Sequence, residues 1–141
     1  MKRGFTLLEL MIVIIILGVL ATLGVMQYQA AIEKARGAEA RVVLGQLRIQ
    51  CAAIYMAERK TDSCTAGNLR IGLTKDMVPL DCRGTHFFEY EIAAQSGDSL
   101  TILARRCTAN GKTPQASTPA VLRLVTDFAQ GIDIWSSDGG Y

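Results

Sequence analysis

Proline is missing from the first 78 residues of this 141-residue chain, and only three prolines occur in all. No proline therefore breaks a helix before Pro79. Charge is nearly missing from one stretch. Between Phe5 and Met26 the only acidic or basic side chain is Glu9. Histidine occurs once, as His86, which leaves no histidine pair for a metal and no serine–histidine–acid pattern around it in sequence. There is no G-x-S-x-G, no phosphate loop and no H-E-x-x-H, so the common hydrolase, nucleotide and zinc-protease signatures are excluded. A lone histidine beside Phe87 and Phe88 reads as structural or surface. Net charge is also small, at +2. Without Lys2, Arg3 and Glu9 the remainder carries 13 basic and 12 acidic groups, which excludes a basic nucleic-acid or polybasic membrane surface. No specific nucleic-acid site is expected.

Four cysteines are present, and none forms a C-x-x-C pair. Cys51, Cys64, Cys82 and Cys107 are separated by 13, 18 and 25 residues, unlike the close pairs of zinc sites. No metal site or cofactor is expected. Asp133, Ser136, Ser137 and Asp138 lack the dense oxygen spacing of a calcium loop and read as a solvated terminal segment. An even number of cysteines in an exported chain reads as two disulfides. Three pairings are possible. The favoured one is Cys51–Cys64, tying a loop back to a helix end, with Cys82–Cys107 spanning a hairpin.

What is present in quantity is an apolar run. Met1-Lys2-Arg3-Gly4 supplies positive charge, and about 22 apolar residues follow. As a helix they would reach about 33 Å, enough to cross a bilayer core. The basic end should stay cytoplasmic and the rest be exported. A cleaved secretory signal fits less well, because the run is longer than the usual apolar region and no A-x-A site follows it. A plain signal anchor fits the length but not Glu9. A carboxylate within an apolar span costs on the order of 3 kcal/mol and needs a partner.

Lys2-Arg3-Gly4-Phe5-Thr6-Leu7-Leu8-Glu9-Leu10-Met11 resembles the prepilin signature of the type IV pilins and secretion pseudopilins. The resemblance covers about the first 55 residues. It implies a leader, residues 1–4, cut after Gly4 by a prepilin peptidase that also methylates the new amine of Phe5. It implies that Phe5 and Glu9 are assembly residues, with Glu9 pairing the freed amine of a neighbouring copy. Partners would be copies of the chain, the peptidase/methyltransferase, an inner-membrane assembly platform and, before assembly, the lipid bilayer. The precursor would sit in the inner membrane with its head in the periplasm, and the product would be an extracellular pilus used for adhesion, motility or DNA uptake. The alternatives are a pseudopilin of a type II secretion system, or an anchored periplasmic module that never polymerises. One departure stands out. Many relatives carry a proline before the residue matching Tyr28, and Leu23-Gly24-Val25-Met26 has none. Any helix break in the apolar half should then fall between Gly18 and Gly24.

The expected fold class is α+β, a pilin fold with one long helix on a three- to four-stranded antiparallel sheet. Residues 5–26 form the assembly helix and 27–141 the head, with helix 27–57, loop 58–84 and sheet 85–136. Ala40, Leu44, Leu47, Cys51 and Ile54 form one apolar stripe at helical spacing. A short turn is expected near Leu73–Met77. Strands are expected over 86–92, 100–104, 121–125 and 132–135, with Ser96-Gly97-Asp98-Ser99 as a hairpin turn. The stripe should pack on one sheet face. Aromatic residues are only 6 % of the chain, too few to argue for an electron path.

Overall fold

A computed structural model describes residues 5–72, 78–108, 112 and 120–138; the expected turn at 73–77 lies outside them. One helix, α1, runs over Leu7–Glu58, and four strands follow: β1 Phe88–Ser96, β2 Ser99–Arg106, β3 Val121–Asp127 and β4 Ile132–Asp138. The chain divides into two compact units, Met1–Ile32 and Glu33–Tyr141. The class is α+β, as the pattern of one long helix and alternating strands implies.

In the first unit α1 is apolar all round, and its large side chains are exposed from Phe5 to Met26. That is the composition of a helix meant for an apolar surrounding rather than water. It is the one described helix long and apolar enough to cross a membrane. The helix passes through Gly18 and Gly24 without a break. Between them Thr22 donates its hydroxyl to the Val19 carbonyl at 2.8 Å, which hides the only polar side chain of that turn.

In the second unit the stripe is buried as its spacing demands. Ala40, Leu44, Leu47 and Cys51 have no exposed surface, and Gly37 and Tyr55 extend the row. They meet the sheet through Phe88 and Tyr90 of β1, Leu100, Ile102 and Ala104 of β2, and Leu122 and Leu124 of β3. The sheet is an antiparallel meander in the order β1-β2-β3-β4. Its register aligns core residues in rows, such as Tyr90–Ala104–Leu122 and Ile92–Ile102–Leu124. Core positions alternate along β2 and β3, as a one-sided core requires. β4 differs: none of its residues is buried, and Ile132, Ile134 and Trp135 are exposed.

Strand bounds shift from the sequence reading for local reasons. β1 starts two residues later and runs on to Ser96, past a register irregularity between Ile92 and Ala94 that interrupts its alternation. β2 continues through Arg105 and Arg106 because Arg106 is buried with partners. The hairpin between β1 and β2 turns at Gly97, whose φ of +55° is the left-handed conformation glycine adopts without strain. The helix ends at Glu58 with Arg59 in the left-handed region, φ 59°, donating its N–H to the Tyr55 carbonyl. No glycine marks this stop.

The segment after α1 is more than a connector. Leu69, Ile71 and Val78 are buried in the same core. Thr61, fully buried, donates its N–H to the Gly97 carbonyl and its hydroxyl to the Gly97 and Ser99 carbonyls, tying the helix exit to the hairpin. Tyr55 adds a hydrogen bond to Asp98 Oδ1 at 2.7 Å and stacks on Phe128 at 5.1 Å. Tyr90 N–H donates to the Pro79 carbonyl, covering part of the β1 edge.

Two disulfides close the unit. Cys51–Cys64 joins α1 to the loop over 13 residues, and Cys82–Cys107 joins the entry of β1 to the exit of β2 over 25. In the chain-entropy model such closures contribute about 3 and about 3.5 kcal/mol. For a small head with one sheet and one helix this is a sizeable share of total stability.

Candidate assembly site

The first turn of α1 carries the residues singled out in sequence. Gly4 lies outside the described residues. Phe5 is 83 % exposed, directly ahead of the helix. Thr6 caps it: its hydroxyl accepts the Glu9 N–H at 3.3 Å, while Glu9 Oε2 accepts the Thr6 N–H and hydroxyl at 3.4 Å. This is a reciprocal capping box, Thr6-x-x-Glu9, satisfying donors that a helix start leaves open. The acid also sits at the positive end of the helix dipole. The sequence reading passed over Thr6, although the T-x-x-E spacing before an apolar run is a recognisable helix-start signal.

The capping bonds are long, and they supply no opposite charge. Among the described residues Glu9 has no basic partner within ion-pair distance. The side chains that follow, from Leu10 through Leu17 to Met26, are exposed and apolar. The unit thus presents one carboxylate, an aromatic residue beside it and a long apolar surface. Chemically it can pair with a cation within an apolar interface.

The family model described as the prokaryotic N-terminal methylation motif matches residues 1–25. A type IV major fimbrial protein FimA of Dichelobacter nodosus is 36 % identical over 67 residues, covering 48 % of this chain and 42 % of that protein. A second FimA from the same organism is 33 % identical over 67 residues, covering 48 % and 43 %. A probable minor fimbrial protein of that organism is 46 % identical over 47 residues, 33 % of this chain and 30 % of its own length. The N-terminal part of the chain is thus similar to type IV fimbrial proteins. The chain spans less than half the length of these curated relatives. No solved structure matches it significantly.

The second unit holds a polar cluster that sequence reasoning did not find. Arg106 is 2 % exposed at the end of β2. It donates to Glu33 Oε2 at 3.1 Å and to Glu33 Oε1 at 3.0 Å, and its Nη1 donates to the Phe87 and Cys107 carbonyls. Its guanidinium lies 5.0 Å from the Phe87 ring centroid, and Arg36 lies over the same ring at 4.1 Å while pairing with Glu33. Burial alone would raise the Glu33 pKa. Hydrogen bonds and charge from Arg106 and Arg36 outweigh it and hold the carboxyl below the ordinary glutamate value. Planar forked donation and stacking on a ring are specific to arginine. No sequence pattern links residues 33 and 106, so this pairing was not readable from spacing.

The remaining candidates do not converge. His86 Nδ1 lies 2.9 Å from the Thr85 hydroxyl, and Asp133 accepts from Arg48 Nε at 2.7 Å. Among the described residues no group of three His, Cys, Asp or Glu side chains could hold a metal ion.

Proposed function

We propose that this chain is the structural subunit of a type IV pilus, made as a membrane-anchored precursor and polymerised through its N-terminal helix. The observation that carries the reading is Glu9: a carboxylate with no basic partner among the described residues, heading an apolar helix. Cleavage after Gly4 by a prepilin peptidase, with methylation of Phe5, leaves a cationic amine at the start of the helix. In the filament Glu9 of one copy pairs with that amine of a neighbour. An ion pair in an apolar interface forms only when both charges are covered together, so pairing couples processing to assembly. The resulting extracellular fibre serves adhesion, motility or DNA uptake, and the chain performs no catalysis.

Mass spectrometry of the mature protein tests the processing step. A methylated N-terminus at Phe5 supports the reading, and an N-terminus at Met1 or a cut after Met26 overturns it. Glu9→Ala should leave a stable, processed chain and remove or sharply reduce filaments; normal fibre yield would show that Glu9 is not the assembly contact. Shearing cells separates a pilus from a secretion pseudopilus. Long fibres in the sheared fraction support the former, and retention in the cell envelope the latter.

A further inference from the structure

The Phe87 ring has three cationic neighbours. Arg36 Cζ lies 4.1 Å from its centroid, Arg106 Cζ 5.0 Å and Lys112 Nζ 5.3 Å. They come from separate parts of the chain: α1, the end of β2 and the segment beyond it. A ring attracts cations through its quadrupole and carries no charge to neutralise them. Between Asp98 and Asp127 the sequence holds four basic residues, Arg105, Arg106, Lys112 and Arg123, and no acid. Counter-charge at the ring must therefore come from elsewhere. Among the described residues Glu33 supplies it, and one carboxylate serves both Arg106 and Arg36.

Donors remain after those bonds are made. Arg106 is filled by Glu33 and the Phe87 and Cys107 carbonyls. Arg36 has five N–H groups, of which Nη1 donates to Glu33, and its side chain is 30 % exposed. Lys112 donates to the Arg83 and His86 carbonyls. An ammonium has a third N–H, and among the described residues no carboxylate meets this one. Carbonyl oxygens hold an ammonium in place without cancelling its charge. The ring thus gathers a guanidinium and an ammonium with donors to spare and a surplus of positive charge.

That combination selects an oxyanion. Arginine meets it as a planar fork and lysine as a point charge. A carboxylate has two oxygens in one plane and suits the fork alone. A phosphoryl group has three oxygens in a tetrahedral array, so it can accept from both cations at once. We propose that Arg36 and Lys112, gathered by the Phe87 ring, bind a phosphoryl group, carried by a free phosphate ester or by a phospholipid headgroup. The site does not depend on the filament reading, since a chain that never polymerised would have it too.

The test uses the full chain in a nonionic detergent, titrated with inorganic phosphate while sodium chloride holds the ionic strength constant. At about 20 mM phosphate the thermal midpoint should stand about 5 °C higher, with half the rise at a few millimolar. Lys112→Gln and Arg36→Gln each keep a donor and lose the charge, and each should abolish the rise. Lys112→Arg should keep it. So should Lys60→Gln, which alters an exposed lysine beside Asp62. A merely structural Lys112 would move the starting midpoint and leave the response to phosphate unchanged. A second arm places the chain in vesicles of phosphatidylcholine and phosphatidylglycerol without free phosphate. If the lipid headgroup is the ligand, the wild type gains the rise on transfer to vesicles, Lys112→Gln does not, and added phosphate contributes little. If a free phosphate ester is the ligand, the response to added phosphate persists undiminished in vesicles. No saturable response in either setting, or the same response from the wild type, Lys112→Gln and Arg36→Gln, would overturn the site.

Discussion

Arg106→Met should destabilise the head by about 3 kcal/mol, and the structure sets that magnitude. Removing one partner of a buried ion pair costs about 3–5 kcal/mol, because the other charge and its acceptors lose their compensation. Here the stranded groups are Glu33 and the carbonyls of Phe87 and Cys107. The lower end applies because Glu33 is 16 % exposed and Arg36 still holds it. Methionine fills part of the volume, so the cavity contribution stays small. For a head near 100 residues each kcal/mol shifts the midpoint by about 4–8 °C, so a fall of about 12–24 °C is expected. Arg106→Lys should fall between wild type and Arg106→Met, because an ammonium cannot fork to both carboxylate oxygens and reach the carbonyls as well.

Acid provides the second reading of the same cluster. The folded pKa of Glu33 is depressed below the ordinary value of 4.5. Its contribution is therefore complete above that value and lost as pH falls through the lower, folded pKa. Glu33→Gln should remove this part of the acid dependence while lowering stability at pH 7. The assay is urea unfolding of the detergent-dissolved chain, disulfides intact, at pH 7 and at steps below 4.5. A loss under about 1 kcal/mol for Arg106→Met would put the pair in the class of surface ion pairs and refute the reasoning. An unchanged acid profile in Glu33→Gln would do the same for the pKa argument.

The other expectations can be checked by unfolding or by mass mapping. Thr126 is buried with a hydroxyl that finds no hydrogen-bond partner among the described residues, so Thr126→Val should raise stability by about 1 kcal/mol; a loss would show that the hydroxyl is bonded in solution. Thr61→Val removes two hydroxyl hydrogen bonds that hold the hairpin to the helix exit and should cost about 1–2 kcal/mol. Arg59→Gly relieves a left-handed residue at the helix end and should stabilise by up to about 1 kcal/mol, seen as a raised urea midpoint. Under limited dithiothreitol Cys82–Cys107 should open first, because Cys82 is partly exposed whereas Cys51 and Cys64 are fully buried; alkylation and peptide mapping give the order.

Which features could be read in the sequence follows from the range of the forces involved. The buried stripe of α1 and the strands β2 and β3 are periodic, and period reports which face meets a core. The hairpin at Gly97 has a local turn signal. Leu69, Ile71 and Val78 escaped because they enter the core from an irregular segment, where no period distinguishes a buried side chain from an exposed one. Arg106 escaped for a related reason: an arginine closing a strand reads as solvated until Glu33, 73 residues earlier, is placed beside it.

Glu9 carries a second role beside the one read for it in sequence. In sequence it was an acid without a partner, and that led to assembly. The structure gives it a nearer role, closing the cap with Thr6. The cap and the proposed assembly role are compatible because of their strengths. Hydrogen bonds of 3.3–3.4 Å are near the weak limit and hold the carboxylate at the helix start without neutralising it. A cationic amine arriving in an apolar surrounding offers a charge-assisted bond about twice as strong as a neutral one. The cap thus orders the first turn and aims the acid, and exchange toward the amine costs little. Thr6→Val separates the roles. It removes the hydroxyl from the cap and leaves the Glu9 charge, so it should loosen the first turn and slow assembly while still yielding filaments, whereas Glu9→Gln, which retains much of the cap but not the charge, should yield few. Equal yields from the two variants would show that the cap, not the charge, is what assembly needs.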